Sequence, residues 1–141
     1  MISVAASACG RKSRIGDITD LEITFANGNK VLAEAMYKDL DLVRGMMFRE
    51  ALPEGRAMIL IEPKEGNHPI VTYNCRIPLD LVWIDVSQHI VEVSANAQPC
   101  KEKSGRACPL LGGKRKSRYV LEMNAGMIAK NEMKVGDRVM F

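Results

Sequence analysis

Leu79-Asp-Leu-Val-Trp-Ile84 and His89-Ile-Val-Glu-Val93, joined across Asp85-Val-Ser-Gln88, decide the fold class. Both runs are rich in β-branched, aliphatic and aromatic residues, and the connection between them is short and polar. That pattern predicts a pair of strands. Upstream, Ala57-Met-Ile-Leu-Ile61 is a continuous apolar run, the pattern of a strand buried on both faces, and Pro53-Glu-Gly55 turns the chain into it. Ile70-Val-Thr-Tyr73 reads as a further strand. Leu21-Glu-Ile-Thr-Phe25 alternates apolar and polar residues, Ala26-Asn-Gly-Asn29 is a hairpin turn signal, and Lys30 to Ala35 alternates again on the way back.

Two short helices complete the reading. Asp39 is the expected cap of the first, over Leu40 to Met46, with Leu40, Val43 and Met47 sharing one face. Gly126 opens the second, over Met127 to Met133. Between them the chain runs through a loop at 94–117 and a strand from Arg118 to Met123. Val135-Gly-Asp137 turns into a last strand, Arg138 to Phe141. The predicted fold is mainly β: a compact β-sandwich or barrel-like domain of seven to eight short strands with two short helices. The expected domain is 18–141, and residues 1–17 stay outside it.

Length and composition agree with one globular domain. The chain has 141 residues, 47% of them apolar and 26% charged, which argues against disorder throughout. No apolar run approaches the ~18 residues of a membrane span. The net charge of +3 is unevenly spread. Residues 15–100 carry seven basic and thirteen acidic side chains, and residues 101–118 carry seven basic side chains against Glu102 alone. A basic segment of this kind either stays solvated as a loop or attracts an anionic partner. No aromatic residue is interleaved to stack a base, so specific nucleic-acid binding is not expected.

The four cysteines divide by surroundings. Met1-Ile-Ser-Val-Ala-Ala-Ser-Ala-Cys9 resembles the end of a bacterial lipoprotein signal, with Cys9 as the candidate lipidated residue. The match lacks a basic start and a full apolar stretch, so a plain disordered tail is the other reading. Membrane association is expected only through that anchor. Cys100 and Cys108 bracket part of the basic loop. Their spacing fits neither a zinc half-site nor a thioredoxin-type pair, and His68 and His89 are the only histidines. A disulfide closing the loop is the expected arrangement, and it implies an oxidising compartment. The bacterial periplasm or cell envelope is therefore the expected location, with the cytoplasm as the alternative. Cys75 lies in an apolar run and reads as a buried thiol rather than a nucleophile.

Arg44, Arg49, Asn74 and Asp80 are the candidate binding residues. An arginine fork holds a carboxylate or phosphate in two-point fashion, and Asn74 and Asp80 bracket a turn at Pro78. The competing structural reading pairs Asp80 with one arginine and leaves Asn74 bonded to its own turn. Asp80, Asp85 and Glu92 are the candidate paired carboxylates for hydrolysis. Met46, Met47, Met58, Met123, Met127 and Met133 read as core filler rather than a soft-metal site. No metal and no cofactor is expected.

Several strings, taken together, resemble one family. Leu42-Val-Arg-Gly-Met-Met-Phe-Arg-Glu-Ala-Leu-Pro53 resembles its "RGLMFR…LP" signature, and Ala57-Met-Ile-Leu-Ile61 its "GMLF" strand. Asn74-Cys-Arg-Ile-Pro-Leu-Asp-Leu-Val-Trp-Ile-Asp85 is similar to "NTxIPLDIIFID". Tyr119-Val-Leu-Glu-Met-Asn-Ala-Gly126 and Lys134-Val-Gly-Asp-Arg-Val139 resemble the closing strings, and Pro99-Cys100 to Cys108-Pro109 resembles its proline-cysteine loop. The family is domain of unknown function 192, and the resemblance runs from Leu21 to Val139. It implies a small β-sandwich-like domain, often exported in bacteria and sometimes lipid-anchored. The family has no established activity to carry over. One departure stands out: Ile70-Val-Thr-Tyr-Asn-Cys75 replaces the family's "FWMKNT", so two aromatic residues and a lysine are missing and only Asn74 is kept.

The expected function is a non-enzymatic module that binds a small ligand or an envelope component. The alternative is a small hydrolytic enzyme built on the Arg/Asn/Asp pocket. An enzyme requires at least three of Arg44, Arg49, Asn74, Asp80 and Glu92 to converge in one cleft.

Overall fold

The computed structural model describes residues 19–141; the predicted tail and Cys9 lie outside the described residues. Six strands form one sheet: β1 (Thr19–Thr24), β2 (Lys30–Met36), β3 (Arg56–Gly66), β4 (Leu79–Ile84), β5 (Ile90–Ala97) and β6 (Ser117–Asn124). Their order across the sheet is β1-β2-β3-β6-β4-β5. Every neighbouring pair is antiparallel except β2 and β3. A parallel pair cannot be closed by a tight turn and needs a crossover over one face. Residues 37–55 supply it, including helix α1 (Asp39–Arg44). Helix α2 (Met127–Lys130) follows β6, on the opposite face.

Alternation along the central strands divides the core in two. Ala57, Ile59, Val82, Ile84, Leu121 and Met123 pack on the face covered by α2 and the C-terminal segment. Met58, Leu60, Leu79, Leu81, Trp83 and Val120 pack on the face covered by the crossover, whose Met46 and Leu52 are buried there. All six residues of β4 are buried, as a central strand covered on both sides requires.

This corrects the expected sandwich or barrel of seven to eight strands. One sheet is covered by short helices and coil rather than by a second sheet. Ile70–Tyr73 and the C-terminal segment have strand-like composition but make only isolated bridges, Ile70 to Leu111, Tyr73 to Cys100, Met140 to Thr24 and Arg138 to His89. Apolar alternation records burial on one side, and a coil lying across a sheet face needs that as much as a strand does. The first helix also differs from expectation. Its N-cap is Lys38, with no side-chain cap bond. Leu40 and Val43 face outward, 84% and 74% exposed, while Leu42 packs toward the core.

Two glycines bring the 94–117 loop back onto the sheet. Gly112 and Gly113 both have positive φ; a Cβ on Gly112 would lie 2.2 Å from Trp83, and one on Gly113 2.4 Å from the Pro69 backbone. The loop thereby seals the fully buried Trp83, whose Nε1–H donates to the His68 carbonyl at 2.7 Å.

Candidate functional site

Residues of five strands fall in one row across the sheet. Register places Glu34 beside Met58, Met58 beside Glu122, Glu122 beside Leu81 and Leu81 beside Ser94. Glu34 and Glu122 both project to the crossover face, two strand spacings or about 10 Å apart. Arg49, from the crossover, reaches down to this row. Its Nη1 and Nη2 donate to Glu34 Oε1 and Oε2 at 2.9 and 2.7 Å, the two-point geometry that makes arginine–carboxylate pairs strong. Arg56 extends the chain of charges outward by a matching pair of bonds to Asp20.

Glu122 has no such partner. It is 3% exposed, and its Oε2 accepts no hydrogen bond. Burial pushes the carboxyl up to about 7, against the Met46 backbone N–H and the Arg49 charge, which pull it down. Above it the backbone passes very close. Gly45, which follows α1, has φ 45° and ψ −129°, and a Cβ there would lie 3.2 Å from Glu122 Oε2. Only glycine holds the chain in this conformation without strain.

Glu122 lines a cavity of about 240 Å³ between the crossover and the sheet. Leu42, Met46, Met47 and Leu60 form apolar walls, and Pro69, Ile70, Val71 and Cys75 close the other side. Burial, and secondarily the Glu122 charge, pushes the Cys75 thiol up to about 11. Cys75 is therefore a neutral wall at physiological pH and a poor nucleophile.

The Ile70–Cys75 wall is held by the loop that follows β5. Ile70 and Leu111 exchange two backbone bonds at 2.8 Å, the Cys100 N–H donates to the Thr72 carbonyl at 3.1 Å, and Thr72 Oγ1 donates to the Gln98 carbonyl at 2.7 Å. Cys100 and Cys108 are joined by a disulfide within that loop. Lys114, in the basic stretch, donates its backbone N–H to Glu92 Oε1 at 3.0 Å.

The four residues expected to share a polar pocket do not converge. Arg44 lines the cavity, with its side chain largely in solvent. Arg49 is committed to Glu34. The Asn74 carbonyl accepts the Phe48 N–H at 2.8 Å, tying its turn to the crossover, and Asn74 lines a separate shallow cleft with Tyr73 and Arg76. Asp80 faces the other side of the sheet. It is 1% exposed and accepts the backbone N–H groups of Asn96, Gly126 and Ile128 at 2.8, 3.1 and 2.7 Å. The expected Asp80–arginine pair is replaced by these three bonds, which anchor the start of α2. Glu92 is held by Lys114, so no three of the five enzyme candidates meet.

The sequence reading missed Glu122 and Glu34. The available signal was a single acidic residue inside an apolar run, in Tyr119-Val-Leu-Glu-Met123 and in Val31-Leu-Ala-Glu-Ala-Met36. A charge that interrupts a central strand on its buried side is a site candidate until a partner is found.

A family model, DUF192 (Uncharacterized ACR), matches residues 22–141. The chain belongs to the DUF192 family. A protein of unknown function from Novosphingobium aromaticivorans DSM 12444 has a similar structure, with a TM-score of 0.79 and 23% identity over 92% of this chain and 90% of that one. A protein from Sinorhizobium meliloti 1021, provisionally described as a transcription regulator, also has a TM-score of 0.79, with 20% identity over 91% of this chain and 97% of that one. At these identities the likeness is one of fold. No curated protein matches the chain in sequence. In this DUF192 domain the cavity, Gly45, Arg49 and Glu122 all lie within the matched residues.

Among the described residues, no group of three or more His, Cys, Asp or Glu side chains is placed to hold a metal. No helix among them is long and apolar enough to cross a membrane.

Proposed function

We propose that this DUF192 domain is an exported, non-enzymatic binding module that takes a small ligand in the cavity between the crossover and the sheet. One observation carries the reading: Glu122, whose Oε2 is a buried acceptor without a donor, lines a cavity. Leaving such a group unmade costs a fold roughly 1–3 kcal/mol or more, and a ligand that supplies the donor recovers that cost. The cavity, at about 240 Å³, is smaller than the ~300–1,000 Å³ of a drug-sized site, which favours a compact ligand over a polymer. The Cys100–Cys108 disulfide supports an oxidising compartment, such as the periplasm or envelope. Cys9 is the proposed lipid attachment point. No hydrolytic role is put forward, because Arg49 and Asp80 serve opposite faces of the sheet.

A thermal-shift screen of small polar and apolar compounds tests the reading on the full chain and on Val71→Trp, which fills the cavity from its wall. The expected result is a compact compound that raises the melting temperature of the native chain and leaves Val71→Trp unmoved. A screen in which every stabilising compound acts equally on both proteins rejects the cavity as the binding site.

A further inference from the structure

We infer that the cavity takes a primary ammonium group carried on a short aliphatic chain, with Glu122 Oε2 as its acceptor, an inference that rests on the cavity reading above. An ionised carboxylate only accepts hydrogen bonds, so the group that completes it must be a donor. Both terminal nitrogens of Arg49 are already bonded to Glu34, which leaves the Glu122 charge open to a second cation. The side chains of Leu42, Met46, Leu60 and Ile70 in the walls offer apolar contacts, and no second carboxylate lines the cavity to compete with Glu122 for an ammonium.

Size and charge narrow the class further. A volume of about 240 Å³ equals roughly eight water-sized volumes at ~30 Å³ each, enough for an amine with a few carbons. A hydrated divalent cation is disfavoured, because hard cations take six or more oxygen ligands and this cavity offers one carboxylate among apolar walls. Arg44 at the rim is exposed, and water screens its charge from the buried carboxylate. Above pH 7, where Glu122 is ionised, a ligand acid is disfavoured there by like charge and by the absence of a donor on Glu122.

The test is an amide-resonance titration of the full chain at pH 8, where both Glu122 and an alkylamine are charged. The probes are n-butylammonium and butan-1-ol, matched in shape and differing in the charged donor. Saturable shifts at Gly45, Met46 and Glu122 are expected with the amine, with an affinity at least tenfold above that of the alcohol. Glu122→Gln should abolish that preference. If Glu122→Gln does not fold, the amine–alcohol contrast on the native chain decides alone. Equal binding of the two probes, or a preference that survives Glu122→Gln, overturns the ammonium assignment and leaves the cavity reading standing. Absence of shifts at cavity residues with both probes overturns the ammonium assignment, and the thermal-shift comparison with Val71→Trp then decides the cavity reading.

Discussion

Gly45 and Glu122 are packed so that a methyl group on the first would lie 3.2 Å from the free carboxyl oxygen of the second. The contact joins the crossover to the central strand at the wall of the cavity. Gly45→Ala therefore has two effects. It strains a backbone held at φ 45°, at a cost of about 1–3 kcal/mol, and it crowds the acceptor. Gly28→Ala is the matched control, since Gly28 has φ 88° and a Cβ there would meet nothing within 4 Å. Urea unfolding should show a loss of stability in both variants. Cavity ligands should be lost only in Gly45→Ala; equal retention in the two would separate Gly45 from the site.

Glu122 also predicts a pH dependence of stability. Its carboxyl titrates near 4.5 when unfolded and at about 7 when folded, so the folded protein holds the proton more tightly. The stabilising protonated state is fully present below pH 4.5 and is lost as pH rises through 7. The contribution is on the order of 3 kcal/mol at 1.36 kcal/mol per pH unit. Chemical denaturation between pH 5 and 8 should show this decline in the native chain and a flatter profile in Glu122→Gln. An identical slope in both would assign the pH dependence to other groups.

Much of the fold was legible because burial leaves a periodic trace. Ala57–Ile61 is an unbroken apolar run and Leu79–Ile84 is interrupted only by Asp80, and both are central strands covered on two faces. The hairpin over Ala26–Asn29 was legible from its turn residues, and Gly28 adopts the positive φ that such turns demand. The single-sheet architecture was not legible, because it depends on β2 and β3 pairing in parallel, a choice made by the crossover rather than by either strand. That Leu40 and Val43 of α1 face outward was not legible either: helical spacing identifies a face without saying what covers it. For the site, Arg49 was found but its partner was not. Two-point ion pairing is decided by strand register, here Glu34 opposite Met58 and Met58 opposite Glu122, and register is not written in any one strand.

The disulfide should stabilise the cavity wall as well as the loop. Cys100 and Cys108 are eight residues apart, and closing so small a ring contributes about 2–3 kcal/mol in the chain-entropy estimate. Thr72 bonds to Cys100 and to Gln98 before the ring, and Ile70 bonds to Leu111 after it. A Cys100→Ser/Cys108→Ser double variant is expected to lose that stability and to exchange its Ile70–Cys75 amides faster, as read by hydrogen exchange. Thiol titration of the unreduced, unfolded chain should find two reactive thiols of the four cysteines where Cys9 is unmodified, and one, Cys75, where Cys9 carries a lipid. Finding all four would remove the bridge and the compartment argument with it.

Asp80 should behave as a purely structural residue. Its carboxylate accepts three backbone N–H groups at the junction of β4, β5 and α2, on the face away from the cavity. Asp80→Ala leaves the buried Ile128 N–H without an acceptor and removes the bonds from Asn96 and Gly126, which water can reach, a loss of about 3 kcal/mol. Asp80→Asn keeps one acceptor oxygen and turns an amide N–H toward a backbone donor, so its loss should be roughly half as large. Neither change touches Glu122, because Asp80 lies opposite Met123 in the register while Glu122 lies opposite Leu81. Alkylammonium affinity, measured where each variant remains folded, should therefore match the native value. An affinity that falls in step with stability would mean that the two faces of the sheet act as one site, and would return Asp80 to the binding residues.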